Sequence, residues 1–91
     1  MNEPFRAPEH VHWRRFDSEV VVLNLSRGEY YGLDEVGAEA FEQFARGRPR
    51  DAVLHELLSR FEVDRLTLER DIDRLLRDFI EQGLLVARTT P

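Results

Sequence analysis

The residues that decide the fold are Val20 to Gly37, VVVLNLSRGEYYGLDEVG. The β-branched run at its start and the tyrosine pair in its middle favour two strands, because such side chains suit a pleated, half-buried surface. Gly28, between the two runs, tolerates the positive φ that a hairpin turn commonly needs. Asp34 offers a side-chain oxygen to the free N–H groups of a helix that begins at Glu35. The stretch therefore predicts a hairpin that leads directly into a helix.

A further strand is predicted upstream of the hairpin. In the segment His10 to Phe16, HVHWRRF, Val11 and Trp13 stand at alternate positions, which is typical of a strand that shows one face to a core. Asp17 and Ser18 are expected to form the turn into the hairpin. The three strands together predict an antiparallel meander.

Three amphipathic helices are predicted after the hairpin. The first covers about residues 35–46, and the second has Pro49 at its first helical position, where a missing N–H leaves no hydrogen bond unmade. The third is capped by Asp64 and runs to about residue 82. Its apolar residues, at helical spacing, are Leu68, Ile72, Leu75, Leu76, Phe79 and Ile80. This order of elements predicts an α+β, winged-helix-like fold, with a three-stranded antiparallel sheet followed by three helices.

Composition limits the domain count and the classes of function. The chain has 91 residues, a formal net charge of −5 and no cysteine. This length supports one domain, which we expect over residues 10–86, between a flexible arm at 1–9 and a flexible tail at 87–91. The missing cysteines exclude a disulfide framework and a thiol nucleophile. No run approaches the roughly 20 apolar residues of a membrane span, so we expect a cytoplasmic protein with no membrane partner.

No arrangement of side chains indicates catalysis, a metal or a cofactor. The hydroxyl residues stand in neither a nucleophile-elbow nor a phosphate-loop pattern, and the carboxylates alternate with arginines as on a solvated helix face. His10 and His12 share one strand face, but no third ligand stands at a recognised spacing. The acidic residues of the third helix offset its arginines, which argues against a nucleic-acid partner.

The third predicted strand, Glu29 to Leu33, is expected at an edge of the sheet. Tyr31 is in phase with Leu33, so their shared face is one side of the strand and Tyr30 faces the other. The strand carries no proline or lysine to prevent pairing with another chain. Two interpretations stay open: the third helix covers the edge, or an extended peptide adds to it as a further strand.

Two longer stretches carry a family resemblance. The run Leu23 to Phe41, LNLSRGEYYGLDEVGAEAF, and the closing FIEQGLL at Phe79 to Leu85 resemble the PqqD-like family, the recognition elements of ribosomally made, post-translationally modified peptide pathways. The likeness extends from about Val11 to Leu85. It rests on the order and spacing of a hydrophobic strand, a Gly-Tyr-Tyr-type turn and strand, an Asp followed by a small-residue helix, and a final Gly-Leu-Leu.

The resemblance implies a non-catalytic adaptor. Such domains bind the leader segment of a precursor peptide as an antiparallel strand and present it to a partner enzyme. The leader would lie along the third strand, in the groove between that strand and the third helix. The implied contacts are Glu29, Tyr30, Tyr31, Gly32 and Leu33 on the strand, and Leu68, Asp71, Ile72, Arg74, Leu75 and the deeper Phe79 on the helix.

Within the family, the tyrosine-rich strand is more similar to the standalone leader-binding proteins of lasso peptide pathways, whose partner is a separate cysteine protease that removes the leader. The alternative within the family is the peptide chaperone of pyrroloquinoline quinone biosynthesis. Outside the family, the residues leave open a winged-helix DNA-binding regulator, or a structural subunit whose apolar groove is a permanent interface.

Overall fold

The structure, a computed structural model, describes residues 4–87. Its elements in chain order are β1 (Phe5–Arg6), β2 (Val11–Phe16), β3 (Glu19–Asn24), β4 (Glu29–Leu33), α1 (Glu35–Ala45), α2 (Arg50–Arg60), α3 (Arg65–Glu81) and β5 (Val86–Ala87). Strands β2, β3 and β4 form one antiparallel sheet in that order, and the three helices follow it. The predicted fold class, α+β with a three-stranded antiparallel sheet and then three helices, is confirmed.

The sheet turns one face to the helices and leaves the other in solvent. Across the three strands, Trp13 pairs with Val22 and Val22 pairs with Tyr31. Because side chains alternate along a strand, the fully buried Val20 and Val22 mark the inner face. Phe41 of α1 packs edge-to-face on Trp13, with 5.1 Å between the ring centroids. The helices therefore cover the inner face only.

Side-chain caps and a glycine define the helix ends. Asp34 accepts a hydrogen bond from the Gly37 N–H at 2.9 Å, and Asp64 accepts one from the Thr67 N–H at 3.2 Å. Both predicted starts are thus confirmed, since each carboxylate satisfies a backbone donor that has no partner inside the helix. Gly47 follows α1 with a φ of 91°, a left-handed conformation that terminates the helix.

The second helix begins one residue later than its sequence predicts. Pro49 stands just before α2 with a φ of −75° and a ψ of 161°. Its extended ψ excludes it from the helix, but its carbonyl accepts a hydrogen bond from the Val53 N–H at 3.0 Å and so begins the helical ladder. Pro49 therefore acts as the cap residue and not as the first helical residue.

The N-terminal segment is more ordered than expected for a flexible arm at residues 1–9. Phe5–Arg6 pairs with Val86–Ala87 as a second, two-stranded antiparallel sheet. The Phe5 ring packs edge-to-face on Phe44, with 5.6 Å between centroids, so apolar burial accompanies the backbone pairing. Residues 1–3 and 88–91, the outer parts of the expected arm and tail, lie outside the described residues. Among residues 4–87, no helix is long and apolar enough to cross a membrane.

Candidate peptide-binding site

The outer edge of β4 is open along its length. β4 has β3 as its neighbour on one side, and no strand of residues 4–87 pairs with its other side. Tyr30 is 74% exposed, and a Cβ added at Gly32 would have no atom within 4 Å. The outward N–H and C=O groups of β4 therefore have no strand partner within residues 4–87, and another chain could pair with them.

A cavity of about 350 Å³ lies at the end of β4, between the beginning of α1 and the first half of α3. Its wall combines apolar side chains with a charged pair. The lining residues are Asp34, Val36, Gly37, Phe61, Glu62, Val63, Leu68, Asp71, Arg74 and Leu75. Arg74 Nη2 lies 3.7 Å from Asp71 Oδ1, and both side chains are substantially exposed. We call the open edge of β4 together with this adjoining cavity the groove.

The residues that the sequence placed at the site lie in two parts of the structure. The five strand residues, Glu29 to Leu33, are β4 itself. On α3, four of the six expected residues line the cavity, namely Leu68, Asp71, Arg74 and Leu75.

The other two expected residues of α3 lie in the core. Ile72 is 0% exposed and Phe79 is 1% exposed. Ile72 was expected on the groove wall, but packing on the sheet and the other helices removes it from the surface, so it supports the wall from behind. Phe79 packs edge-to-face on Phe41, with 5.4 Å between centroids, in keeping with its expected deeper position.

A hydrogen bond orders the inner side of β4. The Tyr31 hydroxyl donates to Glu29 Oε1 at 2.7 Å. The bond to the carboxylate, assisted by desolvation of the ring, raises the pKa of Tyr31 above its ordinary value. The bond thus links two side chains of the inner face of β4.

Sequence reasoning missed the residues that join the β3–β4 hairpin to the end of α3. The Asn24 carboxamide donates to the Gln82 carbonyl at 2.9 Å, and its Oδ1 accepts from the Arg27 N–H at 3.1 Å. The Arg27 guanidinium donates to the Glu81 carbonyl at 3.1 Å. These bonds fasten the β3–β4 hairpin to the C-terminus of α3, whose last carbonyls have no helical partner. The signal in the sequence was an asparagine in phase with the buried Val20 and Val22.

The next feature is the placement of the side chains that could bind a metal ion. Within residues 4–87, no group of three or more His, Asp or Glu side chains is placed to hold a metal ion. His12 pairs with Leu23 on the outer face of the sheet, across the sheet from the helices. The groove itself offers hydrogen bonds, apolar contacts and charges, which are the means of peptide recognition.

The fold, the open strand edge and the adjoining cavity define a winged-helix-like α+β domain with an unpaired edge strand beside a partly apolar cavity. A family model described as coenzyme PQQ synthesis protein D (PqqD) matches residues 19–85. The chain therefore belongs to the PqqD family. Comparison with curated proteins gives no match.

Two solved structures are similar over nearly the whole chain. One is TbiB1 in complex with the TbiA(beta) leader peptide, with 30% identity, a TM-score of 0.83 and coverage of 93% of this chain and 99% of that one. The other is lasso peptide synthetase B1 complexed with the leader peptide, with 29% identity, a TM-score of 0.81 and coverage of 91% and 98%. Both relatives were thus captured with a leader peptide bound.

Proposed function

We propose that this protein is a non-catalytic adaptor of lasso peptide biosynthesis. It binds the leader segment of a ribosomally made precursor peptide and presents it, in the cytoplasm, to a separate leader peptidase. The observation that carries the proposal is the open edge of β4 beside an apolar cavity, in a fold whose two solved relatives hold leader peptides.

An antiparallel leader strand on β4 has a defined direction. Leader residues beside Leu33 precede those beside Glu29, because the two strands run in opposite senses. The N-terminal part of the leader then reaches the cavity, and the chain leaves the site at the hairpin that Asn24 fastens to α3. The peptide bond to be cleaved therefore emerges at the hairpin end, away from the cavity.

Affinity and selectivity come from different parts of this site. Backbone bonds along β4 are common to any extended peptide, and each adds only about 0.5–1.5 kcal/mol net. A Leu-sized or aromatic side chain buried in the cavity adds roughly 1.5–3 kcal/mol. Asp71 and Arg74 at the cavity rim then favour or exclude charged leader residues.

Two other functions compete with leader binding in lasso peptide biosynthesis, a peptide chaperone of the quinone pathway and a DNA-binding regulator. The family's own description favours the quinone-pathway chaperone as the second candidate, and that function uses the same groove for a different peptide. DNA binding has less support, because arginines of the helices are paired with acids. Examples are Arg50 with Asp73, at 2.6 Å between Nε and Oδ1, and Arg65 with Glu69, at 2.9 Å between Nε and Oε2. A helix for phosphates would carry unpaired basic side chains on one face.

The deciding experiment is a fluorescence-anisotropy titration of the labelled leader of the precursor peptide encoded with this protein. We expect saturable binding with a Kd below about 10 µM, near −7 kcal/mol. A leader of the same composition in scrambled order is the control, since backbone pairing alone does not distinguish the two. Equal affinity for both peptides, or no saturation up to about 1 mM (−4.1 kcal/mol), would contradict leader recognition.

A further inference from the structure

The outer face of the sheet is apolar and uncovered. Phe16 is 53% exposed and Leu23 is 41% exposed, although both are large apolar residues. The register sets Leu23 between His12 and Tyr30 on this face. All three helices pack on the inner face of the sheet, so no helix among residues 4–87 buries these side chains.

Part of this face forms a cleft of about 430 Å³ over β2 and β3. It is lined by His12, Trp13, Arg14, Phe16, Val21 and Leu23. Phe16, Val21 and Leu23 supply its apolar floor and His12 and Arg14 its basic rim, while Trp13, whose ring packs on Phe41 on the inner side of the sheet, borders it. Exposed apolar patches with a polar rim are a feature of protein–protein interaction sites.

The charge of the rim selects the partner. No ion pair among residues 4–87 engages Arg14, whereas the neighbouring Arg15 binds both Glu39 and Glu42. The chain as a whole carries a net charge of −5. A basic rim on an acidic protein is complementary to an apolar side chain flanked by a carboxylate. A second copy of this chain fits less well, because a two-fold contact through the cleft would bring the two Arg14 side chains together.

The cleft lies over β2 and β3, whereas the proposed leader pairs with the outer edge of β4. β3 separates β2 from the open edge of β4, and neighbouring strands lie about 4.8 Å apart. A partner in the cleft therefore leaves the outer edge of β4 accessible. An adaptor that presents a bound peptide needs such a second surface.

We propose that the cleft over β2 and β3 docks the leader peptidase, which inserts an apolar side chain flanked by a carboxylate between Phe16, Leu23 and Arg14. This inference rests on the proposed function, since it names the surface through which the adaptor meets its enzyme. The docking is independent of the leader groove, so adaptor, leader and peptidase form a ternary complex.

The test measures two affinities on the same proteins. The affinity for the purified peptidase that removes this leader is measured by biolayer interferometry, with and without leader, and leader affinity is measured by anisotropy. The variants are Arg14→Glu and the double variant Phe16→Thr/Leu23→Thr, in which the β-branched threonines suit a strand. Leu66→Gln is the matched control, because Leu66 is 64% exposed but belongs to α3.

We expect each cleft variant to weaken peptidase binding by about tenfold or more, as for central interface residues, and to leave leader affinity within about twofold. Leu66→Gln should change neither affinity. Peptidase binding that persists in both cleft variants, or a native protein that fails to bind the peptidase, overturns the docking site. A native protein that dimerises through Phe16 and Leu23 in sedimentation assigns the cleft to a second copy instead. Failure of leader binding with intact peptidase binding contradicts the proposed function and not this inference.

Discussion

The two edge strands of the sheet, β2 and β4, differ in how readily each can pair with a further strand. β2 carries Arg14 on its outer face and Arg15 on its inner face. The Arg15 guanidinium binds Glu42, and its Nη2 lies 3.4 Å from Glu39 Oε1, so a charge pointing inward ties this edge to α1. Inward-pointing charges and charged edges are devices that prevent pairing with another chain.

β4, by contrast, has no ion pair among residues 4–87 that ties an inward charge to a helix. Its inner side chains are Glu29, Tyr31 and Leu33, and its single charge is held by the Tyr31 hydroxyl on the same strand. The register makes the comparison direct, because Arg15 and Leu33 both pair with Val20 from opposite sides. The two edges therefore differ most at one pair of equivalent positions, Arg15 on β2 and Leu33 on β4.

The largest effect is expected from giving β4 the residue of β2. Leu33→Arg places a cation beside the apolar cavity and removes half-buried apolar surface from the groove. We expect leader affinity to fall about 100-fold, near 2.7 kcal/mol, because the charge is desolvated under a bound peptide. Anisotropy with labelled leader measures this change.

Leu33→Met is the matched control for that substitution. It nearly conserves volume and apolarity, so leader affinity should stay within about 1.5 kcal/mol of native. Circular dichroism of both variants separates a lost groove from a lost fold. Native affinity in a well-folded Leu33→Arg variant would show that the leader does not lie along β4.

A second prediction concerns the hairpin that carries β4. Asn24→Ala leaves the Gln82 carbonyl and the Arg27 N–H without their partner at a site only 1% exposed. We expect a loss of about 2 kcal/mol in the free energy of unfolding, measured by urea denaturation. Leu66→Ala, at an exposed position, should change it by much less. An unchanged midpoint for Asn24→Ala would mean that α3 does not fasten the hairpin.

Local signals were sufficient to predict the fold. Gly28 does adopt a positive φ of 68°, and the Asp34 and Asp64 caps each bond a backbone N–H three residues later. Such features depend on neighbours in the chain, so a single sequence carries them. The pairing of Phe5 with Ala87 does not, since it joins the two ends of the described chain.

The site was predictable only in part, for a related reason. β4 is one continuous segment, so its five residues were found together. On α3, helical periodicity marks one apolar stripe, but it does not say which members other elements cover. Leu75 reaches the cavity while Ile72, in the same stripe, is fully buried. Asn24 was missed because its partner Gln82 lies 58 residues away.

The reverse exchange is expected to have a smaller effect on stability. Arg15→Leu removes the ion pairs to Glu42 and Glu39 and should lower the free energy of unfolding by no more than about 1 kcal/mol, as for other exposed pairs. It also removes the inward charge from β2, so we expect concentration-dependent self-association through that edge. Sedimentation velocity over a concentration series detects it. A strictly monomeric Arg15→Leu variant would mean that Arg14 and the neighbouring His12 are enough to block β2.

The smallest effect is expected far from both edges, at the ion pair between α2 and α3. The hydrogen bond from Arg50 lowers the pKa of Asp73 below its ordinary value. A carboxyl whose pKa is lower in the folded state stabilises the fold above its unfolded pKa of about 3.9, and this contribution disappears as the pH falls through the folded value. Asp73→Asn should therefore lower stability slightly at pH 7, by less than about 1 kcal/mol at this exposed site, and by progressively less as the pH falls below about 3.9. Thermal unfolding of the native protein and the variant over a pH series measures the difference. Leader affinity at pH 7 should be unchanged, because Asp73 does not line the groove cavity. A variant that unfolds like the native protein at pH 7 would contradict the stabilising role of this ion pair, and one that loses leader binding would contradict its separation from the groove.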